Sequence, residues 1–210
     1  MNTLQMNTKE LYPVVDRIIE LGHDAVQFAH IERATIYESG RRENDAEHSH
    51  MLAFIAPYLA KTYYSEMDIG LISLFTTIHD DPELLCGDIS TLGMSDTQYQ
   101  QKQLAERSAV EKRIALLPEP WSELLDRYEL QKEPEARFVK LVDKLMPALM
   151  KLHGDGLANF ENCGIFSRKE FEDDALTTSA RLCRSFPEFP ELHEIRQQLL
   201  MVVGDTVYGQ

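Results

Sequence analysis

Apolar positions recur at helical spacing along almost the whole chain, and period-two runs of β-branched residues are absent. The pattern predicts an all-α fold. A first helix is predicted over about 8–22, ending before "LGHD", with a second short one in "AVQFAHIERA". The stretch "TIYESGRREND" reads as a loop by composition. Asn44 or Asp45 can cap the next helix, in which His48, Leu52, Ile55 and Leu59 fall at i, i+4, i+7 and i+11. That spacing puts His48 on the core-facing stripe.

From Asp68 to about Asp80 the chain is apolar on nearly every side, as a central helix requires, and His79 and Asp80 close it. "GDISTLGMSD" is then a loop. An amphipathic helix is predicted around 97–117, a break at "LPEP", a helix near 119–131 and a long one over about 134–152. Phe138, Leu141, Val142, Leu145, Met146, Leu149 and Met150 make the stripe of that long helix, with Asp143 on its margin. Pro147 has no N–H to offer the carbonyl of residue 143 and is expected to bend the helix there. Helices near 167–184 and 190–203 complete the chain. With no internal repeat and no low-complexity linker, 210 residues fit one domain.

Composition narrows the function classes. A hydrophobic fraction of 43% and a charged fraction of 27% are those of an ordinary globular protein. No window approaches the roughly eighteen apolar residues of a membrane span, and "MNTLQMNTKELYPVV" lacks a basic region followed by an apolar stretch, so neither a membrane nor export is expected. Cys86, Cys163 and Cys183 are odd in number without a CxxC pair, which argues against a disulfide framework or zinc knuckle and fits a reducing cytoplasm. The formal charge of −14 repels polyanions and excludes long nucleic acid as a partner. A small phosphorylated molecule remains compatible, because salt screens distant charge beyond about 8–10 Å.

"HDDPELLCGD" places a histidine and four acids directly after the apolar run "IGLISLFTTI". Ionisable groups at the end of a buried helix are costly unless something compensates them. His79 and Asp80 offer an imidazole nitrogen and a carboxylate oxygen side by side, His48 comes from another helix and Asp143 from a third. Two imidazoles and two carboxylates suit one divalent ion, Mn, Co, Fe, Mg or Zn, with positions left open for water. Spacing alone does not assemble this set, since 31 residues separate His48 from His79 and 63 separate Asp80 from Asp143.

The order "RRENDAEHS", "HDDPELLCGDIS", "EARFVKLVDKL" resembles the HD-domain metal-dependent phosphohydrolases, in the branch that contains 5'-deoxynucleotidases, from about Arg33 to about Leu152. The resemblance implies a helical bundle with a single-metal site ligated by His48, His79, Asp80 and Asp143. It further implies that Glu83 positions or deprotonates the attacking water and that Asp88 orients substrate or water. Arg33 of "IERAT" matches the family's phosphate-binding arginine, with Arg41 and Arg42 as competitors. Where deoxynucleotidases often carry a tryptophan after that arginine, which helps reject ribose, this chain has Ala34. No histidine lies between His79 and Asp143, unlike the family members that hold two metals. A homodimer is implied by the resemblance only.

Singly, each residue has a plainer reading: His48 as a core histidine, Asp143 as a solvated helix edge, Glu83 and Asp88 as helix caps, and Asp81 as no more than a cap. His50 points about 200° away from His48, and His23, His30, His153 and His193 lack partners in the motif. Trp121 and the methionines near 146–150 read as core. Taken together, the set implies hydrolysis of a (deoxy)nucleoside 5'-monophosphate to nucleoside and phosphate. The alternatives are another phosphate ester, such as a nucleoside triphosphate or cyclic nucleotide, or a non-catalytic, metal-stabilised binding protein.

Overall fold

Asn44 starts the helix that carries the first candidate ligand, and it does so with a full capping box. Its side chain accepts from the Glu47 amide, and the Glu47 carboxylate accepts from the Asn44 amide. The computed structural model describes residues 8–89 and 96–209. In chain order the elements are α1 (Thr8–Phe28), β1 (Glu32–Ile36), β2 (Arg42–Asn44), α2 (Asp45–Tyr63), α3 (Ile69–Ile78), α4 (Glu83–Cys86), α5 (Asp96–Leu116), α6 (Trp121–Leu130), α7 (Pro134–Asp143), α8 (Met146–His153), α9 (Gly156–Asn162), α10 (Arg168–Ser185) and α11 (Pro190–Tyr208). Among the described residues the regular structure is helical apart from one small hairpin.

The main core gathers α2, α3, α6 and α7. Leu52, Ala56, Ile72, Phe75, Leu125, Phe138, Val139, Leu141 and Val142 are fully buried there, joined by Phe189, which precedes α11, and by Leu192 of α11. A second cluster, Ala148, Phe160, Ile165, Phe171 and Val203, ties α8 and α9 to α10 and α11. Burial of this kind stabilises by about 25 cal/mol per Å² of apolar surface, and it fixes the ends of the core helices that carry the polar groups described below.

Four sequence expectations are corrected. The first helix does not stop before "LGHD" but runs on to Phe28, because Leu21 and Phe28 continue its apolar stripe through Gly22. "AVQFAHIERA" is not a second helix: its first residues end α1 and its last enter β1. "TIYESGRREND" is not simply a loop, since it supplies part of β1 and all of β2, paired antiparallel with Glu32 opposite Asn44 and Ile36 opposite Arg42. Strands of five and three residues are too short for alternation to stand out.

The long helix expected over 134–152 is two helices. α7 ends at Asp143, Lys144 and Leu145 make a turn, and α8 begins at Met146. Pro147 leaves the carbonyl of residue 143 unpaired, and the chain breaks rather than bends. α9 was not anticipated, and α11 extends five residues past 203 to Tyr208. Residues 90–95 of the expected "GDISTLGMSD" loop lie outside the described residues.

α9 braces the hairpin. The Asn159 side chain accepts from the Ile36 amide at 2.7 Å and donates to the Ile36 carbonyl at 2.8 Å. Gly154 allows this approach, because a Cβ there would meet the Ile36 carbonyl oxygen at 2.5 Å.

Candidate metal centre

Asp68 caps α3 by accepting from the Leu71 amide, and the helix carries Ile72, Phe75 and Ile78 into the core before delivering His79 as its C-cap. His79 Nδ1 lies 3.0 Å from the Thr76 carbonyl oxygen, which can only accept. Nδ1 therefore donates, and in the neutral ring this leaves the Nε2 lone pair for a metal, the arrangement that metal-ligating histidines use. That Nε2 is buried without a hydrogen-bond partner, although Asp80 Oδ2 lies 3.0 Å away.

His48 projects from α2 and Asp143 from the last position of α7, and His48 Nε2 lies 2.9 Å from Asp143 Oδ1. The His48 and His79 ring centroids are 5.4 Å apart. One ligand atom from each of His48, His79 and Asp143 fits within 4.8 Å of the others, and Asp80 Oδ2 stands 3.8 Å from His48 Nε2. The four residues expected together from the sequence are thus together. Two imidazole nitrogens, one of them orphaned, and two carboxylates suit a divalent cation.

Glu83 follows a turn rather than a continued helix. The bonds Asp81 N–H to Ile78 O, Glu83 N–H to Asp80 O and Leu85 N–H to Pro82 O carry the chain through Pro82 with tight three-residue spacing. α4 then ends at Gly87, whose φ of 71° is easy only for glycine. Burial, then the charges of Asp80 and Asp45, push the Glu83 carboxyl up to about 11. Burial also opposes ionisation of Asp143, but Lys144 at 2.6 Å and His48 overcome it and hold that carboxyl well below its usual range. Asp80 is likewise held low against its burial, chiefly by His79.

Arg33, on β1, reaches into the cluster. Its Nη1 lies 2.8 Å from Asp45 Oδ1, 3.0 Å from Asp80 Oδ2 and 3.6 Å from Glu83 Oε2, and its Nε lies 3.8 Å from Glu43 Oε2. The competing arginines are elsewhere. Arg41 pairs twice with Glu47 at 2.9 Å and stacks on Tyr37, while Arg42 donates to the Arg33 carbonyl. Asp88 is half-buried and makes no hydrogen bond or ion pair among the described residues, though its charge acts on Arg33 and Glu83.

Sequence reasoning missed several residues of this region. Glu43 and Asp45, 1% and 0% exposed, are buried acids with unpartnered oxygens. Glu43 stands in a segment read as a loop and is turned inward by β2, while Asp45, read only as a possible cap, opens α2. Asp81 does more than cap: it pairs with Arg113 through 2.6 and 2.9 Å bonds, and Arg113 also holds Asp24 at 2.7 Å, locking the HD turn to α5 and α1. Tyr128 packs its ring 6.2 Å from His79 with its hydroxyl buried and unpartnered. A cavity of about 540 Å³ lies on the opposite face of α2, lined by Ser49, His50, Arg113 and Trp121 among others, and contains none of the four candidate ligands.

Residues 26–180 match the model of the family described as HD domain. The chain belongs to the HD domain family. This HD protein is 28% identical over 144 residues to a 5'-deoxynucleotidase of Vibrio vulnificus, covering 62% of this chain and 72% of that one. It is 30% identical over 156 residues to a 5'-deoxynucleotidase of Pectobacterium atrosepticum, covering 64% and 75%. Its fold is similar to that of a solved structure titled a predicted metal-dependent phosphohydrolase from Magnetospirillum magnetotacticum, with a TM-score of 0.66 at 24% identity over 90% of this chain and 94% of that one. No described helix of this HD protein is long and apolar enough to cross a membrane.

Proposed function

We propose that this HD protein is a metal-dependent phosphomonoesterase that hydrolyses nucleoside 5'-monophosphates to nucleoside and inorganic phosphate. The observation that carries the reading is the convergence of His48, His79, Asp80 and Asp143, with the Arg33 guanidinium beside them. The names of the two relatives support a nucleotide as substrate.

His48, His79, Asp80 and Asp143 would hold the divalent ion. Such an ion supplies Lewis-acid stabilisation of a phosphoryl oxygen and lowers the pKa of water from 15.7 towards about 7. Arg33 offers a fork of N–H donors to the remaining phosphate oxygens, which fixes the phosphorus for in-line attack. Glu83, within 3.6 Å of Arg33 Nη1 and separate from the four ligands, would accept the proton of the attacking water, ionised once a bound cation offsets the neighbouring acids that raise its carboxyl. Asp88 lies close enough for its charge to act on both Arg33 and Glu83, and it orients the water or the substrate.

Purified protein assayed with Mn²⁺ or Co²⁺ against a panel of phosphate esters tests this. Release of inorganic phosphate from nucleoside monophosphates is expected. Release of pyrophosphate or triphosphate from nucleoside triphosphates, with monophosphates untouched, overturns it.

A further inference from the structure

A second cluster stands beside the four candidate ligands. One carboxylate oxygen from each of Asp45, Asp80 and Glu83 lies within 4.8 Å of the others. Acids gathered at a surface need no ion, but Asp45 is 0% exposed, and neither its Oδ2 nor Glu83 Oε2 has a hydrogen-bond partner. Arg33 Nη1 sits among all three carboxylates, at 2.8, 3.0 and 3.6 Å. The position is therefore already a cation position, occupied by the protein's own guanidinium.

Charge gives the reason that this occupancy is temporary. Glu43, Asp45, Asp80, Glu83 and Asp143 bring five carboxylates to the region, and Arg33 and Lys144 are the side-chain cations paired with them. With all five ionised, as catalysis by Glu83 requires, one divalent ion leaves the set negative, and a phosphate monoester adds two more negative charges. When Arg33 turns to the phosphate, its single charge can no longer serve the three carboxylates, and close like charges at low dielectric repel strongly.

We infer that Asp45, Asp80 and Glu83 form a second divalent-cation site, kept by the Arg33 guanidinium in the free protein and taken by a metal ion when substrate phosphate draws Arg33 away. Asp80 would serve both positions, its Oδ2 standing 3.0 Å from His79 Nε2 and 3.0 Å from Arg33 Nη1. Three hard oxygen donors favour Mg²⁺ or Mn²⁺ there over softer ions. Glu83 keeps its second oxygen for the water proton. The exchange rests on the phosphomonoesterase reading, because phosphate is what moves Arg33, but the site itself does not.

Counting bound Mn²⁺ on the whole chain tests the inference. Metal-free protein is titrated with Mn²⁺ and the free ion is read by electron paramagnetic resonance, with and without inorganic phosphate as the probe. Wild type is expected to bind one ion alone and two with phosphate, the pair showing the spin coupling of ions about 3.5–4 Å apart. Arg33→Ala is expected to bind two ions without phosphate. Asp45→Asn is expected to stay at one ion in phosphate. A single ion in Arg33→Ala overturns the inference, as does a second ion in Asp45→Asn, which would ride on the phosphate alone. Since the Arg33→Ala count needs neither substrate nor turnover, its failure is distinguishable from a failure of the enzymatic reading.

Discussion

His48 Nε2 and Asp143 Oδ1 stand 2.9 Å apart although 95 residues separate them in the chain. The pair joins the start of α2 to the end of α7. Asp143 is there because α7 stops at it, so the helix break and the candidate ligand are one feature.

Asp143→Asn is accordingly expected to weaken Mn²⁺ binding beyond the roughly 100-fold that losing a supporting hydrogen bond alone can cost. Calorimetric titration of the metal-free protein measures it. An affinity within a few-fold of wild type would remove Asp143 from the ligand set.

Glu83→Gln separates proton transfer from binding at the four-residue site. Loss of a positioned general base costs about 10²–10⁴ in kcat, while the metal content of the variant purified without phosphate is expected to match wild type. Elemental analysis alongside phosphate release reads both. Full turnover in the variant would make this acid a bystander.

The same residue sets a pH dependence in the metal-free protein. Its carboxyl, raised from 4.5 to about 11 by burial and the neighbouring acids, stays protonated when folded and ionises on unfolding. The native state thus binds more protons between those values, and stability falls as pH rises through that window. Asp80 and Asp143 act the other way, adding stability above their ordinary value near 3.8 that is lost as pH falls through their depressed values. Melting temperature in the presence of chelator is expected to decline from about pH 5 to about pH 9, and Glu83→Gln is expected to flatten the decline. An unchanged profile would assign it to other groups.

Ala34 bears on the choice of sugar. Without a bulky ring beside Arg33, AMP and dAMP are expected to differ by less than about tenfold in kcat/KM, or about 1.4 kcal/mol. Ala34→Trp is expected to favour dAMP. Competition assays with both nucleotides decide it, and a strong native preference for dAMP would require another excluding group.

Arg113 is nearly buried between Asp81 and Asp24. Removing one partner of a buried ionic set typically costs about 3–5 kcal/mol, because the remaining charges lose their compensation. Arg113→Ala is expected to fall in that range by urea denaturation, with weakened metal binding because the HD turn is released. A loss below about 1 kcal/mol would class the set with exposed ion pairs.

The helices and the four-residue cluster were legible in the sequence for different reasons. Core periodicity located α2, α3 and α7, and the apolar run before His79 marked a buried helix end. The cluster itself was legible only as an ordered set of motifs, since no local pattern brings His48 to Asp143. The hairpin was not legible, because Glu32–Ile36 and Arg42–Asn44 are too short to show a period and are held by α9 from far along the chain. Glu43 was lost with it, and Asp45 was legible only as a possible cap of α2, since nothing in its local pattern shows that it is buried. Asp81 and Arg113 were missed because their partnership spans 32 residues and has no spacing rule.

The clasp between Asn159 and Ile36 makes two distant stretches of this polypeptide answerable to each other. The strand that presents Arg33 is splinted by a short segment that touches none of the chemistry. If Arg33 holds phosphate as proposed, its affinity is thereby exposed to inheritance of changes far outside the motifs, and a drift at residue 154 or 159 is expected to retune it while every signature residue stays in place.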